Sequence, residues 1–186
     1  MSLAAALERV RAADRALQQN AELPLPLGNM DALVAGAVSG LDPNDWWLPG
    51  LREQAGGALR DRNVVPPSAH PALRALVAVG LAAANPEQAA LVHLGVGSLS
   101  DGAFHEALNL AALLRVNVVF LVAVHPLDGD APLGRQTAAS AADLARAYGI
   151  GVQVVDATDA AAVQGAVRAA RDDRGPNVIE ARLPPR

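Results

Sequence analysis

Between Gly95 and Asp101 the chain reads GVGSLSD: two glycines flanking a valine, then a hydroxyl at Ser98 and a carboxylate at Asp101. Glycines at the end of a strand let backbone N–H groups approach a phosphate, and the helix that follows favours negative charge at its start. A loop gripping a metal or a phosphate would carry a polar or acidic group where Val96 stands. The spacing of Gly95, Gly97 and Gly102 does not match a dinucleotide fingerprint, and no acidic residue ends the following strand. Taken alone, the two glycines read as a tight strand-to-helix turn. His70, His93, His105 and His125 are too scattered for a metal-ligand motif. His105 and Glu106 are adjacent in a helix pattern and do not face each other, so His105 reads as a packing or capping residue. No nucleophile elbow, zinc-binding helix or phosphate-binding lysine motif is present.

The elements that must position these groups follow from apolar periodicity. Leu3, Leu7, Val10, Ala13 and Leu17 recur at helical spacing. After ELPLPLGN, Asn29 can cap a second helix reaching Leu41, and LDPNDWWLPG reads as a turn-rich stretch before a third helix from Leu51 to Arg60. NVVPPSAHP is a loop, and Pro71 suits the first turn of an alanine-rich helix ending at Ala84. From there strands and helices alternate: strand Ala90 to Leu94, helix Ala103 to Leu114, strand Val116 to Val124, helix Ala141 to Tyr148, strand Val152 to Val155, helix Asp159 to Arg171, strand Val178 to Ala181. Ser140 with Asp143 resembles a capping box, and Thr158 or Asp159 can cap the last helix. Continuous apolar strands separated by helices predict an α/β fold, a mainly parallel sheet with helices on both faces. In such sheets ligands lie at the carboxyl ends of the strands, so Val96 to Ser98, His125 with Pro126, and Asp156 with Ala157 are expected on one rim.

Composition narrows the classes. A chain of 186 residues can form one domain, expected here over 1–186, and can bury roughly 70% of its unfolded surface. Apolar residues make up 52% and charged residues 18%, which predicts a globular chain. There is no cysteine, which excludes disulfides, thiolate metal sites and cysteine catalysis. A net charge of −4 without a basic run argues against nucleic acid and anionic membranes as partners. The early Glu8 and Arg9 do not fit a secretory leader, and no apolar run reaches spanning length, so a cytoplasmic location is expected.

The stretch GVGSLSDGAFHEALNLAALLRVNVVFLVAVHP resembles the GDG motif, the EGxFHEALNxAA helix and the apolar strand ending in Asn-Asn of one family: the alpha subunits of thiamine-diphosphate-dependent 2-oxo acid dehydrogenases, the pyruvate, branched-chain and acetoin group. LDPNDWWLPGLREQAGGALR, RQTAASAADLARAYGIGVQVVDATDAAAV and GPNVIEAR resemble three further family segments in the same order, so the likeness covers 41–183, behind an N-terminal helix and linker over 1–28. The resemblance implies the thiamine-diphosphate-binding fold. It implies decarboxylation of a 2-oxo acid on a cofactor held between alpha and beta subunits, with its diphosphate bound through Mg²⁺. It places cofactor contacts at Arg52, Gly95, Gly97 and Ser98, and the two metal-binding side chains at Val96 and His125.

Val96 and His125 are not hard oxygen ligands, and Mg²⁺ requires nearly octahedral oxygen coordination. Leu51 replaces the tyrosine before Arg52, Val124 replaces the first Asn, and Ala123 the polar residue before it. The stretch from Arg60 to Pro71 is shorter than in the family, and IEARLPPR falls before the loop that carries the family's active-site histidine. No metal ligand and no catalytic residue carries over. The leading expectation is a shortened relative that has lost Mg-diphosphate binding and catalysis, has no cofactor, and acts by homo-oligomerisation or with a beta-like subunit. Ala107, Ala111 and Ala112 would allow close helix approach at that interface. The alternative is an active thiamine-diphosphate-dependent dehydrogenase component completed by a partner, using His125, Asp101 or Asp156 in altered roles. A third possibility is another small anion on the same rim, held by Arg52 and the helix after Gly102. Asp101 can equally start the helix, Asp156 can serve backbone donors in its turn, His125 can be a turn residue before Pro126, Arg52 can be a surface ion-pair residue, and Trp46 and Trp47 can pack the core.

Overall fold

The computed structural model describes residues 1–19, 30–50, 63–65, 70–124 and 133–184. The helix expected over Leu51 to Arg60, the cap at Asn29, and the site positions Arg52 and His125 lie outside the described residues.

The first helix, α1, spans Leu3–Gln18, and α2 spans Asp31–Gly40. Strands β1 (Trp46–Leu48) and β2 (Asn63–Val64) follow, then α3 (Leu73–Ala84), β3 (Ala90–Gly95) and a 3₁₀ turn over Val96–Ser100. The remainder is α4 (Gly102–Leu114), β4 (Val118–Val124), the short α5 (Leu133–Gln136), α6 (Ala141–Ala147), β5 (Gly151–Asp156), α7 (Ala160–Asp172) and β6 (Asn177–Arg182). The six strands form one sheet in the order β2-β1-β3-β4-β6-β5, and every pair is parallel. The expected parallel sheet is therefore present.

Side chains alternate across the sheet and feed two cores. Leu91, Val119, Leu121, Ile179 and Ala181 pack with α1, α2 and α7, while Val92, Leu94, Phe120, Val122 and Val178 pack with α3, α4 and α6. Alternation works on both sides because both faces are covered, which is why these strands read as unbroken apolar runs. On the first face α2 crosses α7 at very short range. A Cβ at Gly36 would lie 2.6 Å from the Ala160 carbonyl oxygen, and one at Gly40 would lie 2.7 Å from the Val167 Cβ. On the second face Phe104 meets Phe120 edge-on, with ring centroids 5.9 Å apart.

Two strands correct the sequence reading. NDWW was expected to be a turn and NVV a loop, yet Trp46–Leu48 pairs with both β2 and β3. Asp45 organises the entry to β1: its buried carboxylate accepts from the Ala89 N–H at 2.9 Å and the Asp42 N–H at 2.8 Å. Trp47 is fully buried and stacks on His93, with centroids 6.5 Å apart. It packs the core, as one of its two sequence readings held. Among the described residues no helix is long and apolar enough to cross a membrane.

Candidate cofactor rim

β3 ends at Gly95, and the next five residues coil into the 3₁₀ turn instead of entering α4 directly. Asp101 then caps α4: its Oδ1 accepts from the Ala103 N–H at 2.8 Å, satisfying one of the helix's free N-terminal donors. Its Oδ2 lies 3.4 Å from His70 Nε2, which links α4 to the residues before α3. His105 Nε2–H donates to the Leu99 carbonyl at 3.0 Å, so the first turn of α4 holds the 3₁₀ turn in place. Asp101 and His105 thus take the capping and packing roles.

Val96 is buried and faces a recess of about 200 Å³ shared with Leu99, Val124 and Leu133. The same recess contains Glu180 of β6, 2% exposed, whose two oxygens are already engaged. Oε2 accepts from the Ala142 N–H at 2.9 Å, at the start of α6, and Oε1 accepts from Arg182 Nε at 2.8 Å. Ser140 caps α6, accepting from the Asp143 N–H at 3.1 Å and donating to Asp143 Oδ2 at 2.7 Å. That hydroxyl, more than the nearby Arg146, holds the exposed Asp143 carboxyl below its ordinary value.

A second recess of about 300 Å³ opens on the other side of the turn, lined by His70, Pro71, Ala72, Gly95, Gly97, Ser98 and Asp101. Of the expected cofactor contacts, Gly95, Gly97 and Ser98 are brought together here. Gly95 and Gly97 have no positive φ, and a Cβ added to either meets nothing within 4 Å.

Asp156 does not join them. The register runs Val124 to Arg182 to Asp156, so β6 separates the end of β4 from the end of β5. Two strand spacings amount to about 10 Å. Asp156 instead closes its own turn, accepting from the Thr158 N–H at 2.8 Å and the Thr158 hydroxyl at 2.7 Å. The expectation that the three loops share one edge holds in direction, but strand order disperses them. Glu180 and Arg182 were missed as rim residues. Their signal was a charged pair inside and at the end of an otherwise apolar strand.

A Mg²⁺-bound diphosphate needs a ring of oxygen ligands at this rim. Among the described residues no group of three His, Cys, Asp or Glu could hold a metal ion. At the position where a carboxylate would be needed, a buried isopropyl group lies among Leu99, Val124 and Leu133, and the one buried carboxylate nearby is committed to an amide and an arginine. A hard cation needs several oxygen ligands; Val96 supplies none, and the other carboxylate of the recess, Asp143, is bonded to Ser140 and Arg146. The described residues do not fit the metal.

A family profile described as dehydrogenase E1 component matches residues 30–182. The chain is 32% identical over 199 residues to 3-methyl-2-oxobutanoate dehydrogenase subunit alpha of Mycobacterium tuberculosis, covering 89% of this chain and 54% of that protein. It is 30% identical over 160 residues to 2-oxoisovalerate dehydrogenase subunit alpha of Bacillus subtilis, covering 81% and 47%. The chain spans about half the length of these relatives. A solved structure from Mycobacterium smegmatis, described as a thiamin diphosphate-dependent enzyme, superposes with a TM-score of 0.62 at 16% identity, over 83% of this chain and 31% of that one. At that identity the likeness speaks to the fold.

Proposed function

The chain belongs to the dehydrogenase E1 component family, and from that membership we propose that it is an alpha-subunit-like protein that no longer binds Mg-diphosphate and no longer decarboxylates, and that works by association. The observation that carries this reading is Val96. A branched hydrocarbon stands in a buried apolar wall where the family's metal-binding carboxylate is expected. Burying a diphosphate against it without a cation leaves charged oxygens without partners. Loss of a supporting group around a metal costs roughly ten- to a hundredfold in affinity, and replacement of a direct ligand costs more.

Association is supported by the outer face of α3 and α4. Leu73, Val77, Leu113 and Leu114 are all more than 40% exposed. The partner is a second copy or a beta-like subunit. Ala107 and Ala111, expected at this interface, are fully buried inside the chain's own core, and of the three alanines only Ala112 is partly open. The proposed contact is therefore assigned to Leu73, Val77, Leu113 and Leu114, and the burial of Ala107 and Ala111 speaks against the small residues.

A second reading, a working dehydrogenase component completed by a partner, is favoured by Gly95 and Gly97, whose backbone remains open as in a cofactor cradle. Calorimetric titration of the full chain with thiamine diphosphate and Mg²⁺ separates the two. The expected result is no saturable heat up to millimolar ligand; saturable binding that chelator abolishes would overturn the first reading.

A further inference from the structure

In the order β2-β1-β3-β4-β6-β5 the last strand is paired on one side only. The Gly151 N–H donates to the Pro176 carbonyl at 3.3 Å and the Ala157 N–H to the Arg182 carbonyl at 2.9 Å, so the odd-numbered residues of β5 turn their amides toward β6. Val152 and Val154 turn theirs outward, because the N–H and C=O of a strand residue point to one side and the sides alternate along the chain. Neither residue's N–H nor its C=O has a hydrogen-bond partner among the described residues. β3, β4 and β6 bury nearly every residue, whereas β5 has no buried residue and Val154 is 44% exposed.

Edge strands normally carry guards against pairing: a lysine, a proline or a bulge. GVQVVD has no lysine, arginine or proline, and its register with β6 is unbroken. Its one charge, Asp156, sits at the strand's end and closes the Thr158 turn. An open row of amides and carbonyls is satisfied by another strand, and a second copy's β5 supplies a row equally open. Laid antiparallel about Gln153, Val152 of each copy lies opposite Val154 of the other, so the outward N–H groups of both residues meet outward carbonyls. Gly151 then faces Val155 and Gln153 faces its own copy, so no charge opposes a charge. The exposed Val154 gains a valine across the ladder, a favourable cross-strand pair. The Asp156 carbonyl, which already accepts from the Asp159 N–H at 3.2 Å, is not needed.

We propose that the β5 edge is a self-pairing surface, joining two copies of the chain into one continuous sheet through an antiparallel β5–β5 ladder centred on Gln153. The contact is two-fold: it consumes the open edge of both copies and stops at two. A strand this short covers far less than the ~800 Å² per partner of a stable interface. Pairing therefore belongs to the upper micromolar range and leaves the mass at micromolar concentration unchanged. It is independent of Val96 and of the contact assigned to α3 and α4.

The test uses the full chain carrying Leu113→Glu and Leu114→Glu, which removes the α3–α4 contact, beside the unaltered chain. Sedimentation equilibrium and amide hydrogen exchange by NMR are followed from about 10 µM to about 1 mM. In the double variant the mass should rise from one chain to two and level off. In both proteins the Val152 and Val154 amides should become protected as concentration rises. Val154→Lys, which adds the missing guard at an exposed position, should weaken pairing about tenfold or more, and Val154→Thr, also β-branched, should preserve it. Three results would overturn the proposal: no concentration-dependent protection of these two amides, a double-variant mass that climbs past two chains, or equal pairing by the lysine and threonine variants. Protection that appears only on adding an unrelated extended peptide would overturn the second copy as the occupant. Failure of the α3–α4 association changes none of these readouts, so the two contacts stand or fall separately.

Discussion

Thr158 holds the Asp156 carboxylate by two bonds, its hydroxyl first and its amide second, and together they keep the carboxyl below its ordinary value. Because folding lowers that pKa, the pair supports the folded chain above the ordinary carboxylate range. The support is lost as pH falls through the folded-state value. Thr158→Val should raise the Asp156 pKa toward that of a free aspartate, read from the carboxyl carbon shift in an NMR titration; an unmoved titration would show that the hydroxyl does not matter. Asp156 was singled out in the sequence as a strand-end carboxylate, and both its possible roles were visible. What decided between them was the insertion of β6 between β4 and β5, which residue types and spacing do not record. Glu180 is the opposite case. Its place in an apolar strand was plain, but its partners, Ala142 and Arg182, come from a helix start and a strand end that only the fold brings together.

At the level of elements, periodicity revealed the regular C-terminal half. β3, β4, β5 and β6 lie where apolar runs predicted, and α7 begins at the expected cap, Asp159, whose Oδ1 accepts from both the Ala161 and Ala162 N–H groups at 3.0 Å. β1 and β2 were hidden because three and two residues are too few to display alternation, and because Asp, Pro and Gly around Trp46 and Trp47 carry turn signals. The α2–α7 crossing was hidden for another reason. GAVSG reads as an ordinary small-residue helix until the facing residues, Ala160, Val163 and Val167, are known. Gly36→Ala pushes a methyl against a backbone carbonyl and a valine, neither of which can swing away. It should destabilise the fold by about 1–3 kcal/mol in urea unfolding. A neutral result would mean that the two helices separate easily. Gly165→Ala, on the open side of α7, is the matched control, because its Cβ meets nothing within 4 Å.

At the scale of the whole molecule, the proposed association assigns a role to the exposed Leu73 and Val77 of α3 and Leu113 and Leu114 of α4. Exposed apolar groups on neighbouring helices are what a subunit contact would cover. Light scattering after size-exclusion chromatography at micromolar concentration should give a mass above the 19.0 kDa of one chain, and Leu113→Glu with Leu114→Glu should return it to one chain. A single-chain mass for the unaltered protein, with or without a beta-like subunit added, would remove association as its role. The clasp of α2 on α7 also has a consequence for how the protein is made. The surface of α2 that is shielded by Val163 and Val167 has no cover until more than a hundred further residues have been synthesised. A nascent chain halted after β4 would therefore leave that apolar side of α2 open to other chains, and folding is safest when translation runs through the last third without pause.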